Sequence, residues 1–301
     1  MQLKSKVRRY DPHSYFIRAA NIDLEIKVPE HPRGGFHRRT NSLGLRNNEE
    51  TREDFGLRVL IAGDSHVDGV CGDSENLCAH LEHGLCEAGH DAHLLNAGMG
   101  AYSMYHYLGT LERFPHLELT PDLFIVVMFG GNDLGAVPAL YQIFDQQEPP
   151  RPSKTLRKLD NKSRPSYPAE YGQGFNPYCL FRALPSEIDV ARKVFEGGLI
   201  DIQDLCEQHD IQLLLAYLQA PVEVRERLLT DRTEELMQKL AKPASELEPM
   251  PALSDEVLDF ARTAGIEVHD LRPGFTASNE VLYWSHDLHL NITGHRLAAN
   301  E

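Results

Sequence analysis

The sequence predicts an α/β fold: a flavodoxin-like three-layer αβα sandwich around a five-stranded parallel sheet. From Leu57 onward, short apolar runs alternate with stretches of helical spacing, which is the pattern of a sheet covered by helices on both faces. The runs are short and rich in branched residues, and turn residues bound them, which favours buried strands over buried helices. With 301 residues, the chain is long enough for one such domain with additions.

The alternation of patterns predicts the elements in order. Strands are expected at residues 59–62, 92–96, 123–129, 211–217 and 266–269. Helices are expected near residues 75–88, 104–113, 186–209, 223–241, 254–263 and 292–299. In the first helix, Leu77, Leu81 and Leu85 recur at the spacing of one helix face. Asn291 is the expected N-cap of the last helix.

Residues 1–56 are expected to form an N-terminal extension packed on the main domain, which runs from residue 57 to residue 301. The extension is rich in Arg, Asn, Pro and Gly. Within it, residues 22–28 alternate apolar and polar side chains, as a strand with one solvated face does.

Residues 134–185 interrupt the alternation and are predicted to form an insert rich in proline and aromatic residues. Eight of the chain's 18 prolines lie there, interleaved with seven aromatic residues between Tyr141 and Phe181. A long segment without regular structure in a compact domain is either a disordered linker or a functional lid. The apolar surface of the aromatic side chains favours an ordered lid.

Net charge and cysteine usage restrict the class of partner. The formal net charge of -15 disfavours nucleic acid and anionic membranes, because both bind proteins through basic surfaces. The five cysteines are odd in number and include no Cys-x-x-Cys pair, so neither a disulfide framework nor a zinc site is predicted. No signal peptide is visible and no apolar run is long enough to span a bilayer, so we expect a cytoplasmic protein.

The first predicted strand stops at a Gly-Asp-Ser tripeptide that ends with Ser65. This places a serine at the carboxyl end of a parallel strand, where open α/β sheets bind their ligands. Asp64 and Ser65 could instead cap a helix, because both residue types are common before a first turn. The same tripeptide recurs at residues 72–74, but no apolar strand precedes it. We therefore expect Asp73 or Ser74 to be the N-cap of the next helix and Ser65 to be a nucleophile.

The second and third strands also end in small or polar residues. The second continues into Asn96-Ala97-Gly98 and the third into Gly130-Gly131-Asn132-Asp133. Each ending alone is typical of a plain turn. Together with Ser65, they bring a hydroxyl, backbone N–H groups and a side-chain amide to one edge of the sheet. Ser65 N–H, Gly98 N–H and the Asn132 amide are the expected donors to the oxyanion of an attacked carbonyl.

A general base is expected near the C-terminus. Most of the fifteen histidines are expected at the surface, but in Asp287-Leu288-His289 a carboxylate stands two residues before a histidine, just ahead of the last helix. In an extended turn, residues i and i+2 point the same way, so Asp287 can orient the His289 imidazole to accept the serine proton. His286 and His295 are the rival bases.

These four segments, taken in order, resemble the blocks of the SGNH, or GDSL-like, hydrolase superfamily, which carry Ser, Gly, Asn and His. The resemblance covers residues 57–299 and rests on Ser65, Gly98, Asn132 and the pair formed by Asp287 and His289. It implies a flavodoxin-like fold, ester hydrolysis through an acyl-serine, and neither cofactor nor metal. A Gly-x-Ser-x-Gly elbow and a P-loop are absent, which disfavours other serine-hydrolase folds and nucleotide binding.

Two positions depart from the pattern of that superfamily. His66 stands where the first block usually has leucine, which would alter the wall of the pocket but not the nucleophile. The last block has one residue between acid and histidine where many members have two; with the longer spacing, His286 would occupy the place of the acid. The shorter spacing resembles that of relatives acting on polysaccharide acetyl groups. Residues 41–46 also resemble a segment that precedes the domain in some bacterial members.

The predicted function is serine-dependent hydrolysis of a small, acetyl-like ester on a carbohydrate or small metabolite. Asp64 and Asp133 are expected to brace the loops and not to transfer protons. An acyltransferase is an alternative, because a hydroxyl acceptor in place of water leaves the first half-reaction unchanged. A catalytically idle binding module, with the aromatic insert as its contact surface, is an alternative of another class. No pattern indicates the oligomeric state.

Overall fold

The computed structural model describes residues 7–46, 56–144, 181, 185–223 and 249–301. Over these ranges the chain forms nine strands. They are β1 (Arg8–Asp11), β2 (Tyr15–Arg18), β3 (Asp23–Lys27), β4 (Gly35–Arg39), β5 (Leu57–Gly63), β6 (Ala92–Asn96), β7 (Leu123–Phe129), β8 (Gln212–Leu218) and β9 (Glu267–Asp270).

Strands β5 to β9 form one parallel sheet in the order β6-β5-β7-β8-β9. Counted from the first strand of this sheet, the order is 2-1-3-4-5, as in flavodoxin-like folds. The predicted α/β fold is thereby confirmed. Because β5 lies between β6 and β7, the carboxyl ends of these three strands are neighbours, and residues that follow them meet at one edge.

Helices cover both faces of the sheet. In the described ranges they are α1 (Ser65–Asp68), α2 (Leu77–Glu87), α3 (Met104–Arg113), α4 (Asp133–Phe144), α5 (Ser186–Gln208), α6 (Pro249–Thr263), α7 (Arg272–Ala277) and α8 (Ile292–Asn300). Side chains of α3, α5 and α6 pack on one face, and side chains of α2, α7 and α8 pack on the other. None of these helices combines the length and the apolar composition needed to cross a bilayer.

The two faces of the sheet bury alternate residues of each strand. Along β5, Leu60 and Ala62 belong to the core on the α3 side, whereas Val59 and Ile61 belong to the core on the α2 side. Successive side chains of a strand point to opposite faces. All four are buried because helices cover both faces, which explains why the strands read as unbroken apolar runs.

The predicted boundaries agree closely with the structure. Strands β6 and β7 and helix α3 have the predicted limits, and β5, β8 and β9 differ by one or two residues at each end, whereas α6 begins five residues before its predicted start. Asn291 caps α8 as predicted, since its Oδ1 accepts the Gly294 N–H at 2.9 Å. All but the first residue of the helix expected near 223–241 falls within residues 224–248, which lie outside the described part of the chain.

One predicted helix cap is wrong. The N-cap of α2 is Asn76, whose side chain accepts a backbone N–H of the first turn at 3.1 Å, and neither Asp73 nor Ser74 has this role. The carboxylate of Asp73 accepts a hydrogen bond from Arg46 Nε at 3.0 Å instead. The helix therefore begins after the second tripeptide, at the next residue able to cap it.

Helix α4 occupies the start of the segment predicted as an irregular insert. Pro138 lies inside this helix, where a proline removes one backbone N–H donor and normally ends a helical pattern. Burial of Leu134 and Val137 in the core offsets that loss. Residues 145–180 and 182–184 lie outside the described part of the chain, so the lid stays a prediction.

The N-terminal segment forms two antiparallel hairpins, β1–β2 and β3–β4. The strand predicted at 22–28 is β3, whose side chains are alternately exposed and half-buried. Polar contacts join this segment to the domain. Tyr102 Oη donates to the Phe16 carbonyl at 2.7 Å, and Arg18 pairs with the buried Asp68 at 2.7 Å. Residues 1–6 and 47–55 are outside the described ranges.

Candidate active site

Ser65 lies where the sheet and a short helix meet. Strand β5 ends at Gly63, and Ser65 is the first residue of α1. Asp64 caps this helix, because its Oδ1 accepts the His66 N–H at 2.8 Å. The capping role that the sequence left open thus belongs to Asp64, and Ser65 is partly exposed at the carboxyl edge of the sheet.

The imidazole of His289 contacts the Ser65 hydroxyl. His289 Nε2 lies 2.8 Å from Ser65 Oγ, although the two residues are 224 positions apart in the chain. His289 Nδ1 lies 3.4 Å from Asp287 Oδ2, an ion-pair distance and not a close hydrogen bond. With the Nδ1 proton facing the carboxylate, Nε2 is the acceptor for the Ser65 O–H. The three side chains therefore lie in the order carboxylate, imidazole, hydroxyl, with the hydrogen bond between imidazole and hydroxyl formed in this structure.

A tight turn, not the extended one expected, places Asp287 and His289 on the same side. Leu288 adopts the left-handed conformation, with a φ of 62°. Asp287 Oδ1 accepts the His289 N–H at 3.0 Å, and the Trp284 N–H donates to the His289 carbonyl at 2.8 Å. Because these bonds close the turn, its backbone fixes the positions of Asp287 and His289 relative to each other. Residues 284–290 are called the base loop below.

The two rival histidines lie elsewhere. His286 is 71% exposed, and its Nδ1 pairs with Glu30. His295 is buried in α8, where desolvation and then the charge of Arg46 lower its pKa to about 3. Of the three candidates, His289 is the one hydrogen-bonded to Ser65.

Asp287 is charged at neutral pH. Partial burial disfavours its ionised form, but the contacts and charge of His289 outweigh this effect and hold the pKa of Asp287 below its ordinary value of 3.8. The carboxylate can therefore stabilise a protonated imidazole. Because 42% of its side chain is exposed, solvent screens this interaction, and Asp287 contributes less than a fully buried acid would.

The Asp64 carboxylate connects Ser65 to Asn132. Asp64 Oδ2 accepts a hydrogen bond from Asn132 Nδ2 at 2.9 Å and lies 3.3 Å from Ser65 Oγ. Asp64 is buried, and desolvation raises its pKa despite the hydrogen bonds that it accepts from His66 N–H and Asn132. An amide nitrogen carries two N–H groups. Asn132 is thus held beside Ser65 with one of its two donors directed to Asp64.

Gly98 lies against α1, as a close backbone approach requires. A Cβ at this position would lie 2.6 Å from the Val67 side chain and from Asp68 N, so no larger residue fits. The Gly98 N–H donates to Asn96 Oδ1 at 3.0 Å. The single N–H of Gly98 is thus engaged within its own loop, in contrast to the open donor that the sequence suggested.

Asp133 braces the loop that carries Asn132, as predicted. Its Oδ2 accepts the Phe129 N–H and the Tyr107 O–H, both at 2.8 Å. Burial, and after it the charge of Asp64, raises the pKa of Asp133 well above its ordinary value. The carboxyl group ties the end of β7 to α3 and so fixes where the loop begins.

His66, which departs from the superfamily pattern, packs against His289 with 4.9 Å between ring centroids. Its ring also packs at a tilt of 34° on Phe129, with 3.8 Å between ring centroids, and its Nδ1 accepts the Leu290 N–H at 3.3 Å. Burial and then the charge of His289 keep the pKa of His66 well below its ordinary value, so the ring is neutral at neutral pH. The sequence identified this position but not its contact with the base loop.

Two other contacts of the base loop were not predicted from the sequence. Trp284 Nε1 donates to the Val70 carbonyl at 3.0 Å, and Glu30 binds the backbone at residues 285 and 286. No short motif could have revealed them, because both join distant parts of the chain. Within the residues that the structure describes, no three His, Cys, Asp or Glu side chains are grouped as metal ligands would be.

Comparison with known proteins gives a family and a set of structural neighbours. The family model described as the GDSL-like lipase/acylhydrolase family matches residues 61–297. Lip_vut3, a lipase from a goat rumen metagenome, is 14% identical over 81% of this chain and 95% of its own, with a TM-score of 0.48. LAE5, an α/β hydrolase enzyme from the Lake Arreo metagenome in Spain, is 15% identical over 82% of this chain and 93% of its own, with a TM-score of 0.46. A catalytic mutant of Axe2, an acetylxylan esterase from Geobacillus stearothermophilus, is 11% identical over 83% of this chain and 94% of its own, with a TM-score of 0.44. No curated protein matches the sequence.

Proposed function

The chain belongs to the GDSL-like lipase/acylhydrolase family, and from this premise we propose that it hydrolyses a small, acetyl-like ester of a carbohydrate or small metabolite through an acyl-serine. The family supports ester hydrolysis as the reaction class. The parts that we propose are the residues and the substrate: Ser65 as nucleophile, His289 as general base, and Asp287 as the acid that orients it.

The observation that carries the proposal is the 2.8 Å contact between His289 Nε2 and Ser65 Oγ. A serine hydroxyl is a weak nucleophile at neutral pH, and a hydrogen bond to a general base activates it. The same contact disfavours the catalytically idle module, because a binding surface has no need of a histidine directed at a serine hydroxyl.

In the proposed reaction, Ser65 Oγ attacks the ester carbonyl carbon while His289 Nε2 takes the hydroxyl proton. The carbonyl electron pair moves to oxygen; when it returns, the bond to the alcohol oxygen breaks and His289 protonates the leaving group. Water then adds to the acyl-serine in the same two stages, with His289 again first a base and then an acid. Asp287 stabilises the imidazolium formed in each stage.

We expect Ser65 N–H and the second N–H of Asn132 to bind the oxyanion. A donor of this kind lowers the barrier by about 3–4 kcal/mol when it is aimed at the developing charge. The Gly98 N–H joins them only if it leaves Asn96 Oδ1, to which it donates in this structure. Such rearrangements accompany substrate binding in many enzymes, whose catalytic hydrogen bonds tighten only in the complex.

The small acyl group and the carbohydrate alcohol rest on the spacing of Asp287 and His289, which resembles that of members acting on polysaccharide acetyl groups. A series of 4-nitrophenyl esters from acetate to decanoate tests this preference, and kcat/KM is expected to fall as the chain lengthens. Acetate as product in the presence of a sugar acceptor supports hydrolysis. An acetylated sugar would indicate transfer.

The reaction itself is tested with 4-nitrophenyl acetate and the purified full chain. Turnover that the Ser65→Ala substitution abolishes supports the proposal. A wild-type chain that cleaves no ester of the series, or a Ser65→Ala variant that turns over normally, would reject it.

A further inference from the structure

The β3–β4 hairpin reaches the base loop through Glu30. Glu30 lies between the two strands of the hairpin, and its Oε2 accepts the Ser285 N–H at 2.5 Å and the Ser285 O–H at 3.1 Å. Its Oε1 accepts the His286 N–H at 2.7 Å and also contacts His286 Nδ1. One carboxylate thus binds two consecutive backbone N–H groups of a segment that is 255 positions away.

These two N–H groups directly precede Asp287 in the base loop. The start of the loop is anchored by Trp284 Nε1 on the Val70 carbonyl, and its end by the Leu290 N–H on His66. Glu30 is the contact at the exposed corner between these anchors. Because Asp287 and His289 share one tight turn, the direction of the chain through residues 285 and 286 determines where both side chains point.

The same hairpin is bound to the segment that follows the nucleophile. Arg38 Nη2 donates to the Gly69 carbonyl at 3.2 Å, directly after α1. His31 Nε2 lies 3.0 Å from Glu75 Oε2, and the Arg39 N–H donates to Asp73. The hairpin therefore joins the loop after Ser65 to the base loop. Glu30 makes the hydrogen bonds to the base loop, and the His31 ring packs against Trp284 with 6.1 Å between ring centroids.

We propose that Glu30 is a positioning residue that holds the base loop where His289 reaches Ser65; the inference rests on the proposed function. A carboxylate suits this role, because each oxygen accepts one of two adjacent N–H groups. Glutamine offers a single acceptor oxygen and an NH₂ group that cannot accept. Glu30 acts through the backbone of the base loop and has no contact with Ser65, so its loss lowers kcat and leaves KM nearly unchanged. Misplacing a catalytic group by about 1 Å can cost up to about 100-fold in rate.

The test compares Glu30→Gln, Glu30→Asp and a matched control, Glu25→Gln. Glu25 is exposed on β3 of the same hairpin and has no ion pair within the described residues, so its substitution makes the same change of charge without touching the base loop. With 4-nitrophenyl acetate, Glu30→Gln is expected to lower kcat about tenfold and to change KM by less than about twofold. Glu30→Asp, which keeps both oxygens on a shorter side chain, is expected to have a kcat between those of Glu30→Gln and wild type. Glu25→Gln is expected to match wild type.

Hydrogen exchange supplies a readout that needs no turnover. Glu30→Gln is expected to accelerate exchange in the peptide containing Ser285 and His286 but not in β5, and Glu25→Gln is expected to change neither. A kcat for Glu30→Gln within about twofold of wild type, or unchanged exchange at residues 285 and 286, would overturn the inference. A wild-type chain without ester turnover would reject the proposed function instead, so the two failures are distinguishable.

Discussion

The tripeptide Gly-Asp-Ser occurs twice, at residues 63–65 and again at 72–74, and the structure uses the two copies differently. The first copy ends β5, a buried strand of the parallel sheet, and opens α1. Its serine hydroxyl lies 2.8 Å from His289 Nε2. The second copy lies in the loop before α2, and its serine, Ser74, is exposed.

The two aspartates differ in the same way. Asp64 accepts hydrogen bonds from the His66 N–H and Asn132 Nδ2, both within the candidate site. Asp73 instead accepts a hydrogen bond from the buried side chain of Arg46, which belongs to the N-terminal segment. One tripeptide therefore serves the site and the other serves the attachment of the hairpins. The strand that precedes the first copy, and not the tripeptide itself, makes the difference.

The largest contrast is expected between the serines. Ser65→Ala should lower kcat for 4-nitrophenyl acetate by about 10⁴-fold or more, because no other group replaces the nucleophile. Ser74→Ala should leave kcat within about twofold of wild type, since Ser74 is an exposed loop residue. Steady-state kinetics of the two variants measure this contrast. A comparable loss for both serines would remove the distinction between the copies.

The aspartates should separate activity from stability. In Asp64→Asn, the carboxylate that accepts from Asn132 and lies beside the Ser65 hydroxyl becomes an amide, which has one acceptor oxygen and an NH₂ group that cannot accept. Asn132 and Ser65 therefore lose the acceptor that they share. We expect kcat to fall about 100-fold. Asp73→Asn leaves the buried Arg46 guanidinium without the charge at 3.0 Å and should lower the free energy of unfolding by about 2 kcal/mol, with kcat nearly unchanged.

Kinetics and urea unfolding of the two variants measure this separation. If Asp73→Asn abolished turnover in a stably folded protein, the division of roles would be wrong.

The stability of the protein is expected to depend on pH through Asp64. Because burial raises its pKa above 3.8 in the folded state, Asp64 contributes stability that is complete below pH 3.8 and lost as the pH rises through the folded-state pKa. The Asp64→Asn variant lacks this titration. The stability advantage of wild type over the variant should therefore shrink in urea unfolding as the pH rises above about 4. An advantage that grows with pH would contradict the raised pKa.

The glycines should show the smallest contrast. A Cβ at Gly63 would lie 2.3 Å from Val67 Cγ2 and 3.3 Å from the Val127 carbonyl, so both α1 and β7 would have to shift. Gly63→Ala should cost about 2–3 kcal/mol of stability. A Cβ at Gly72 would meet the end of the Glu75 side chain at 2.6 Å, so that side chain would have to move and weaken its contacts with the Gly72 N–H and His31, and Gly72→Ala should cost about 1 kcal/mol. Thermal unfolding measures both; equal costs would mean that α1 moves freely on β5.

The sequence predicted the sheet well because its strands are buried on both faces. Strand β7, from Leu123 to Phe129, reads as one apolar run, and the structure has it with the predicted limits. Helix α4 was missed because Pro138 is normally a sign that a helix has ended, whereas here Leu134 and Val137 bury enough apolar surface to keep the helix. Local patterns predict elements that local preferences specify, and fail where tertiary packing overrides them.

The candidate site was predictable to the level of residues but not of hydrogen bonds. Ser65, Asn132 and His289 could be selected because each follows an element of the sheet or precedes the last helix. The bond from the Gly98 N–H to Asn96 Oδ1 depends on one side-chain rotamer, which no pattern encodes. The bonds from Glu30 to the base loop join residues 255 positions apart, and only the fold brings them together.

Mapping where a fluorophosphonate probe reacts tests directly whether Ser65 is an activated nucleophile. We expect one covalent adduct on wild type, located by peptide mass spectrometry at Ser65, and no adduct on the Ser65→Ala variant. An adduct at Ser74, or a folded wild-type protein that does not react, would contradict the assignment of Ser65 as a nucleophile activated by His289.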